Sequence, residues 1–511
     1  MRDVTDIAAP SRDDPIVAGA SEVVGGPWGR FASSRPRWWL TPMRALLALT
    51  VLTCVLGFLA KAPCRTHPWS GEYQYTRVCY TDVFALYYAE QLGSKVNAAG
   101  DTVGRISIPY RDHPVEYPAV IGGLMWVAGE FANAVHPNQP GDGVDTRDRT
   151  FFDITALMLA AFALVTTWAV ARLAGRRRIW DAAMFALAPM LFLHAYTNWD
   201  LAAVGLATAG MWAWSRRWDW HLPAIVSGIL LGVATATKLY PVLILLVIVV
   251  LSLRARRLFD GFLCTVFAIG GFCVAYIPAW LLSRNFPFPD ATCPGAHPVS
   301  AWQWFWRLNT DRVADWDSLW FMAEHARGTP LDGNVACGTA PHNLNLGVAV
   351  ATAILVGGAL ALALLAPRRP RVPQVAFLVI AGFLLANKVD SPQYVLWLVP
   401  LAALARPRWR LFLLWQATEV LLLFARYYYF VGNDAALAHK GSQGLPIDWF
   451  FAAVALRDAM LIVVMGFIVW EILHPDRDVV RRDGVDDPAG GVLDAAPDRW
   501  RRHTDLTTAP A

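Results

Sequence analysis

Apolar residues run along this chain in long blocks separated by short polar turns, and most blocks are apolar on every side rather than striped. Thirteen can be marked, at approximately Met43 to Ala60, Pro118 to Val135, Phe152 to Ala174, Ile179 to Tyr196, Leu201 to Trp214, Leu222 to Thr237, Leu239 to Leu253, Phe259 to Leu282, Leu344 to Ala366, Val375 to Ala386, Tyr394 to Ala405, Leu411 to Phe430 and Trp449 to Leu473. A helix needs about 20 apolar residues to cross a hydrocarbon core of roughly 30 Å, and a helix apolar all round belongs in a membrane or a large core. The pattern predicts an all-α polytopic membrane protein with about 12 crossings and two long extracytoplasmic loops. Pro118 to Val135 is the segment expected to cross only in part, since two termini on one side require an even number.

Composition agrees: 56% hydrophobic against 16% charged residues excludes a disordered chain and argues against a soluble enzyme. The net charge of +4 gives no reason to expect a nucleic-acid partner. Charge placement says more, because Lys and Arg collect in cytoplasmic loops. Fourteen arginines, in the groups 176–178, 216–217, 254–257, 368–371 and 406–410, fall in alternate short loops, whereas the intervening ones hold only Lys238, Lys388 and Lys440. Both termini read as cytoplasmic, in a chain that crosses the membrane many times. Residues 1–42 and 474–511, rich in Asp, Gly and Pro, read as a disordered leader and a disordered tail around a membrane domain at 43–473. The first span reads as uncleaved, its charged leader being too long for a signal peptide.

Membrane crossing alone does not explain the polar segments. Loops at about 61–117 and 283–343 share the extracytoplasmic side, and loops of such length are usually functional. Each holds two cysteines, Cys64 with Cys79 and Cys293 with Cys337, on the side where disulfides persist. Four free thiols are the alternative.

After the first span comes an amphipathic stretch, Tyr80 to Glu90, carrying Asp82, Tyr87 and Tyr88. Asp82 suits a helix N-cap or first turn, or a general base accepting a proton from a hydroxyl at the membrane surface. The loop ends in a run containing Tyr110, Asp112 and Glu116, which prolines alone do not account for. Asn198 and Asp200, Lys238 and Tyr240, and Asn387 to Tyr394 with Lys388 and Gln393 form three more clusters where helices meet the same side. A charge at bilayer depth costs roughly 2.5–3.5 kcal/mol on insertion scales, so such groups usually pair or line a cavity.

In these blocks the chain resembles the GT-C superfamily of membrane glycosyltransferases that use lipid-phosphate sugars. More narrowly it is similar to glycosyltransferase family 87, which includes the polyprenyl-phosphate-mannose-dependent mannosyltransferases of bacterial phosphatidylinositol mannoside synthesis. The resemblance rests on Thr-Asp-Val-x5-Ala at Asp82, Pro-Tyr-x-Asp-x4-Tyr-Pro from Pro109 to Pro118, Asn-x-Asp-Leu at Asn198, Gly228-x3-Gly232-x5-Lys238-x2-Pro241 and Asn387-Lys388-x2-Ser391-Pro392-Gln393-Tyr394. It implies a polyprenyl-phosphate sugar donor, with mannose as the sugar, a lipid or glycan acceptor, and Asp82 as base. The second long loop matches nothing in that pattern.

Displacing a lipid phosphate from a sugar needs a base for the incoming hydroxyl and cations for the phosphate oxygens. Asp82 can supply the first; Lys238, Lys388, His342 and Arg426 are candidates for the second. Tyr87, Tyr88, Tyr110, Asp112, Glu116, Asn198, Asp200, Tyr240, Gln393 and Tyr394 are the candidates for lining the substrate site. A base without a second carboxylate nearby suits one-step inverting displacement. Asp315-Trp316-Asp317 has a metal-binding spacing, but its tryptophan favours a loop surface, and no metal or cofactor is expected. The rival is a transporter or flippase, which places ionisable groups at mid-membrane on broken helices.

Overall fold

The structure is a computed structural model, and it describes residues 14–25, 41–66, 72–93, 106–136, 146–286, 298–333, 339–433 and 444–498. The described chain is almost wholly helical. We label α1 (Pro15–Gly25), α2 (Pro42–Thr66), α3 (Asp82–Ala89), α4 (Ala119–Val135), α5 (Thr146–Ala174), α6 (Asp200–Trp214), α7 (Leu222–Thr235), α8 (Pro241–Arg254) and α9 (Leu258–Leu282). A two-residue antiparallel pairing of β1 (Asn285–Phe286) with β2 (Val299–Ser300) follows, then α10 (Ala301–Asp311), α11 (Leu319–Arg327), α12 (His342–Leu365), α13 (Val372–Ala386), α14 (Val395–Ala405), α15 (Trp409–Asn433) and α16 (Ile447–Leu473).

By length and composition α2, α5, α9, α12 and α16 can each cross a membrane, whereas α4, α7, α8, α13 and the segment ending in α14 are shorter apolar helices. Their burial sorts them. Every residue of α14 is buried, as is nearly all of α13, while α12 buries only Leu344, Val356 and Ala363. Short α13 and α14 therefore sit at the centre of the bundle, and long α12 lies at its rim. This ordering is why a uniform 20-residue template fits the inner segments poorly.

The apolar run Ile179 to Tyr196 does not form one spanning helix. It breaks into a 3₁₀ stretch and two short helices, Ala183–Ala186 and Pro189–His194, because Pro189 cannot continue the turn before it. The freed backbone groups find side chains: Thr53 Oγ1 donates to the Ala186 carbonyl at 2.6 Å and the Met190 N–H donates to Gln416 Oε1 at 3.2 Å. Such breaks are tolerated at membrane depth only when neighbours satisfy them.

Glycines bring α7 against α9. A Cβ at Gly232 would lie 2.1 Å from the Ala268 carbonyl oxygen, and one at Gly228 would lie 2.4 Å from that of Cys264. The two glycines of the Gly228-x3-Gly232 block are thus a helix-packing device.

Parts of both terminal segments pack against the helical bundle. The leader contains α1, capped by Asp14, whose carboxylate accepts the Ile16 N–H at 3.0 Å and the Trp409 N–H at 3.0 Å. The described part of the tail packs on the arginine-rich helix ends. Arg371 donates to both oxygens of Asp478 (2.7 and 3.0 Å), Arg254 to Asp498 (2.8 Å) and Arg369 to Asp486 (2.9 Å). Its acidic, glycine-rich composition suits a strap that neutralises guanidinium groups. Arg254 and Arg371 also bond helix-end carbonyls of Ala363, Ala366, Leu404 and Ala405.

Candidate active site

Helices α6, α8, α13 and α14 each have an arginine-rich end or neighbouring turn at one extreme and a cluster polar residue at the other. The end opposite the tail holds a cavity of about 470 Å³. Asp82, Glu116, Tyr117, Asn198, Lys238, Tyr240, Arg312, Lys388, Gln393, Tyr394 and Trp397 are among the residues that line it. Six separate stretches of sequence contribute to it.

Asp82 opens α3. The cap itself is Thr81, whose hydroxyl accepts the Val83 N–H at 3.2 Å and donates to the Tyr196 carbonyl at 2.6 Å. The Asp82 carboxylate is thereby spared for the cavity. Tyr80 donates to its Oδ1 and the Asn198 amide to its Oδ2, each at 2.7 Å, and Asn198 also donates to the Tyr117 hydroxyl at 2.8 Å. Burial raises the Asp82 pKa above the ordinary carboxylate value, and the Asn198 and Tyr80 hydrogen bonds partly offset it. A half-buried carboxylate held by two neutral donors remains a proton acceptor.

Below it Asp200 is buried and spoken for: Lys238 Nζ lies 3.1 Å from its Oδ1 and the Trp397 indole donates to the same oxygen at 2.7 Å. Lys238 also sits 5.0 Å from the Tyr394 ring centroid and 5.6 Å from that of Tyr117. Tyr394, Trp397 and Tyr240 stack in sequence, with centroids 4.2 and 4.4 Å apart. The result is an aromatic wall with one ammonium in front of it.

Other expected residues fall elsewhere. Ala85 and Leu86 share the cavity face of α3 with Asp82, so Tyr87 and Tyr88 point away at helical spacing. Tyr87 is buried against Phe151, and Tyr88 donates to Asp148 at 2.8 Å. Tyr110 donates to the Tyr117 carbonyl at 3.1 Å and lines a neighbouring apolar cavity between α4 and α9. Asp112 is paired with Arg111 at 2.9 Å outside the cavity. His342 is exposed at the start of α12 and does not line the cavity.

Arg426 is ion-paired with buried Asp317, next to Arg457, which holds Asp390 at 2.8 Å and Asp458 at 2.7 Å. Asp317 is thus the partner of an arginine, and the Asp315–Asp317 run is a docking point for the loop. Lys388 reaches the cavity wall, but its ammonium meets Thr310 O, Arg312 O and Asn345 Oδ1 at 3.0, 2.5 and 2.6 Å. Three N–H donors with three acceptors leave none for a phosphate.

A second carboxylate does stand in the cavity, contrary to the expectation of a lone one. Glu116 faces Arg312 at 3.5 Å; burial raises its pKa and Arg312 opposes the rise. Arg312 is the cation that sequence reasoning passed over, together with Phe305 and Asn309 from α10. Nothing in the second loop's sequence singled it out from the other arginines there. Cys64 and Cys79 are joined by a disulfide that ties the end of α2 to the segment before Tyr80. Cys293 and Cys337 lie outside the described residues.

Residues 150–387 match the model of Glycosyltransferase family 87, a stretch that includes Asn198, Asp200, Lys238 and Arg312 but not Asp82 or Glu116. No curated protein matches the chain. Among solved structures it is similar to ArnT from Cupriavidus metallidurans bound to undecaprenyl phosphate, with 13% identity and a TM-score of 0.37 over 85% of this chain and 78% of that one. It is also similar to the apo oligosaccharyltransferase of Archaeoglobus fulgidus, with 11% identity and a TM-score of 0.37 over 84% of this chain and 56% of that one. Over residues 150–387, a little under half of the sequence, the chain is similar to glycosyltransferase family 87.

Proposed function

We propose that the cavity transfers a sugar, with mannose favoured by the family resemblance, from a polyprenyl-phosphate donor to a lipid or glycan acceptor at the extracytoplasmic face. The observation that carries this is Asp82, a carboxylate held only by neutral donors, in one cavity with Arg312, Lys238 and an aromatic wall. The acceptor hydroxyl attacks the anomeric carbon as Asp82 removes its proton. The carbon–oxygen bond to the phosphate breaks, and the polyprenyl phosphate leaves with its charge met by Arg312 and, behind it, Lys238. Glu116, engaged with Arg312, and Asp200, engaged with Lys238, are both tied to cations. Direct inverting displacement by Asp82 therefore remains the reading even with other carboxylates near.

Orientation follows from the two ends of the bundle. The arginines gathered at the tail end support reading that end, with both termini, as cytoplasmic and the cavity as opening on the other side. The test is to incubate purified protein with a panel of polyprenyl-phosphate sugars and to follow release of polyprenyl phosphate. Solute movement without release would favour a transporter instead.

A further inference from the structure

Where the second loop forms the cavity wall, one ammonium grips the backbone around Arg312, the more exposed of the two cations proposed to meet the donor phosphate. Helix α10 ends at Asp311, where the last carbonyls have no helical partners and carry the negative end of the dipole. Lys388, from the turn between α13 and α14, caps that end: its Nζ takes the carbonyls of Thr310 and Arg312, and Asn345 Oδ1. Asn345 Nδ2 in turn donates to Thr310 O at 3.0 Å, and the Lys388 carbonyl accepts the Asp315 N–H at 2.8 Å. The backbone on both sides of Arg312 is thereby clasped, while its side chain stays 39% exposed and meets only Glu116 among the contacts described.

We propose that Lys388 is a positioning residue for Arg312, fixing the loop so that the guanidinium stands where the donor phosphate arrives. This rests on the reading of Arg312 as a donor cation given above. A cation misplaced by about 1 Å can cost on the order of 10²-fold, so a clasp on its own backbone is worth having. The clasp is also sensitive to pH. Burial lowers the Lys388 pKa to about 8, with Asp311 and Asp332 opposing and Arg312 reinforcing the fall. Above that pH the neutral amine keeps two N–H donors for three acceptors.

A double-mutant cycle separates positioning from direct contact. Lys388→Met should raise KM for the polyprenyl-phosphate sugar about 10-fold with little change in kcat, and adding it to Arg312→Gln should cost nothing further. Multiplying effects would mean that Lys388 meets phosphate itself and would overturn the proposal. Hydrogen exchange across residues 306–316 should quicken in Lys388→Met and be restored in Lys388→Arg; unchanged exchange in a folded Lys388→Met protein refutes the clasp. The wild-type KM should climb above pH 8, and that limb should be missing in Lys388→Met. If no donor in the panel is turned over, the functional reading fails while the exchange measurement still decides the clasp. If Lys388→Met does not fold, Asn345→Ala loosens the same joint and should speed exchange over the same residues, and no change there counts against the clasp.

Discussion

Replacing Asp82 by Asn tests the centre of the chemistry with little disturbance to the structure. The carboxylate accepts from Tyr80 and from Asn198, each at 2.7 Å. An amide keeps one oxygen for Asn198, and its NH₂ can donate to the Tyr80 hydroxyl, which is able to turn and accept. The backbone anchors, Asp82 N–H to Thr197 O and the Thr81 cap, are untouched. Stability should not suffer. Because burial raises the Asp82 pKa, the folded state binds this proton more readily than the unfolded chain, so stability falls as pH rises from the ordinary carboxylate range through the folded pKa. At neutral pH that penalty is in place, and the neutral amide removes it. Turnover should fall by about 10² to 10⁴, the usual worth of a positioned base, or roughly 3–5 kcal/mol of barrier. The assay is release of polyprenyl phosphate at saturating donor, beside thermal unfolding of the same preparation. A folded Asp82→Asn protein within about threefold of wild-type kcat would refute Asp82 as base.

Other predictions follow the same geometry. Asn198→Ala removes a hydrogen bond that favours the charged carboxylate, so the acid limb of kcat should move to higher pH, and a pH–rate profile reads the shift. Asp478→Asn leaves Arg371 buried without its charge partner and should cost about 3–5 kcal/mol, seen as a lower unfolding midpoint in detergent. Gly232→Ala forces a methyl into the Ala268 carbonyl and should destabilise the α7–α9 contact by about 1–3 kcal/mol on the same measurement. A Cys64–Cys79 linked peptide should appear in non-reducing mapping; the bridge closes a 15-residue loop and contributes about 3 kcal/mol on the chain-entropy estimate.

The parts of the site that were legible in the sequence are those where polar residues interrupt apolar runs. Asp82, Asn198, Lys238 and the Asn387 to Tyr394 block stand out because a membrane helix does not carry such groups idly. Their convergence on one cavity follows from alternation, since successive spans return each cluster to the same face. What was not legible depends on partners far away in sequence. The tail's aspartates read as disorder until the helix-end arginines that they neutralise are beside them, and Ile179 to Tyr196 reads as a span unless Pro189 is weighed. Tyr87 and Tyr88 were within reach of sequence reasoning. Once Asp82 is put on a helix, positions five and six residues on fall outside its face.

Lys388 and Arg312 show why residue type alone does not say which cation faces the cavity. A lysine in a polar motif and an arginine in a loop without a recognisable motif differ in no way that predicts which one will spend its donors on the backbone. Geometry decides: α10 ends beside Lys388, and its terminal carbonyls capture the ammonium before any ligand can. The arginine one residue past the helix end is then left with a side chain free to reach into the cavity and a backbone that cannot move. A motif lysine can therefore matter for phosphate binding without meeting phosphate, provided that the loop it grips carries the charge. The comparison that distinguishes this from direct contact is the double mutant of Lys388→Met with Arg312→Gln, in which the second substitution finds nothing left to remove.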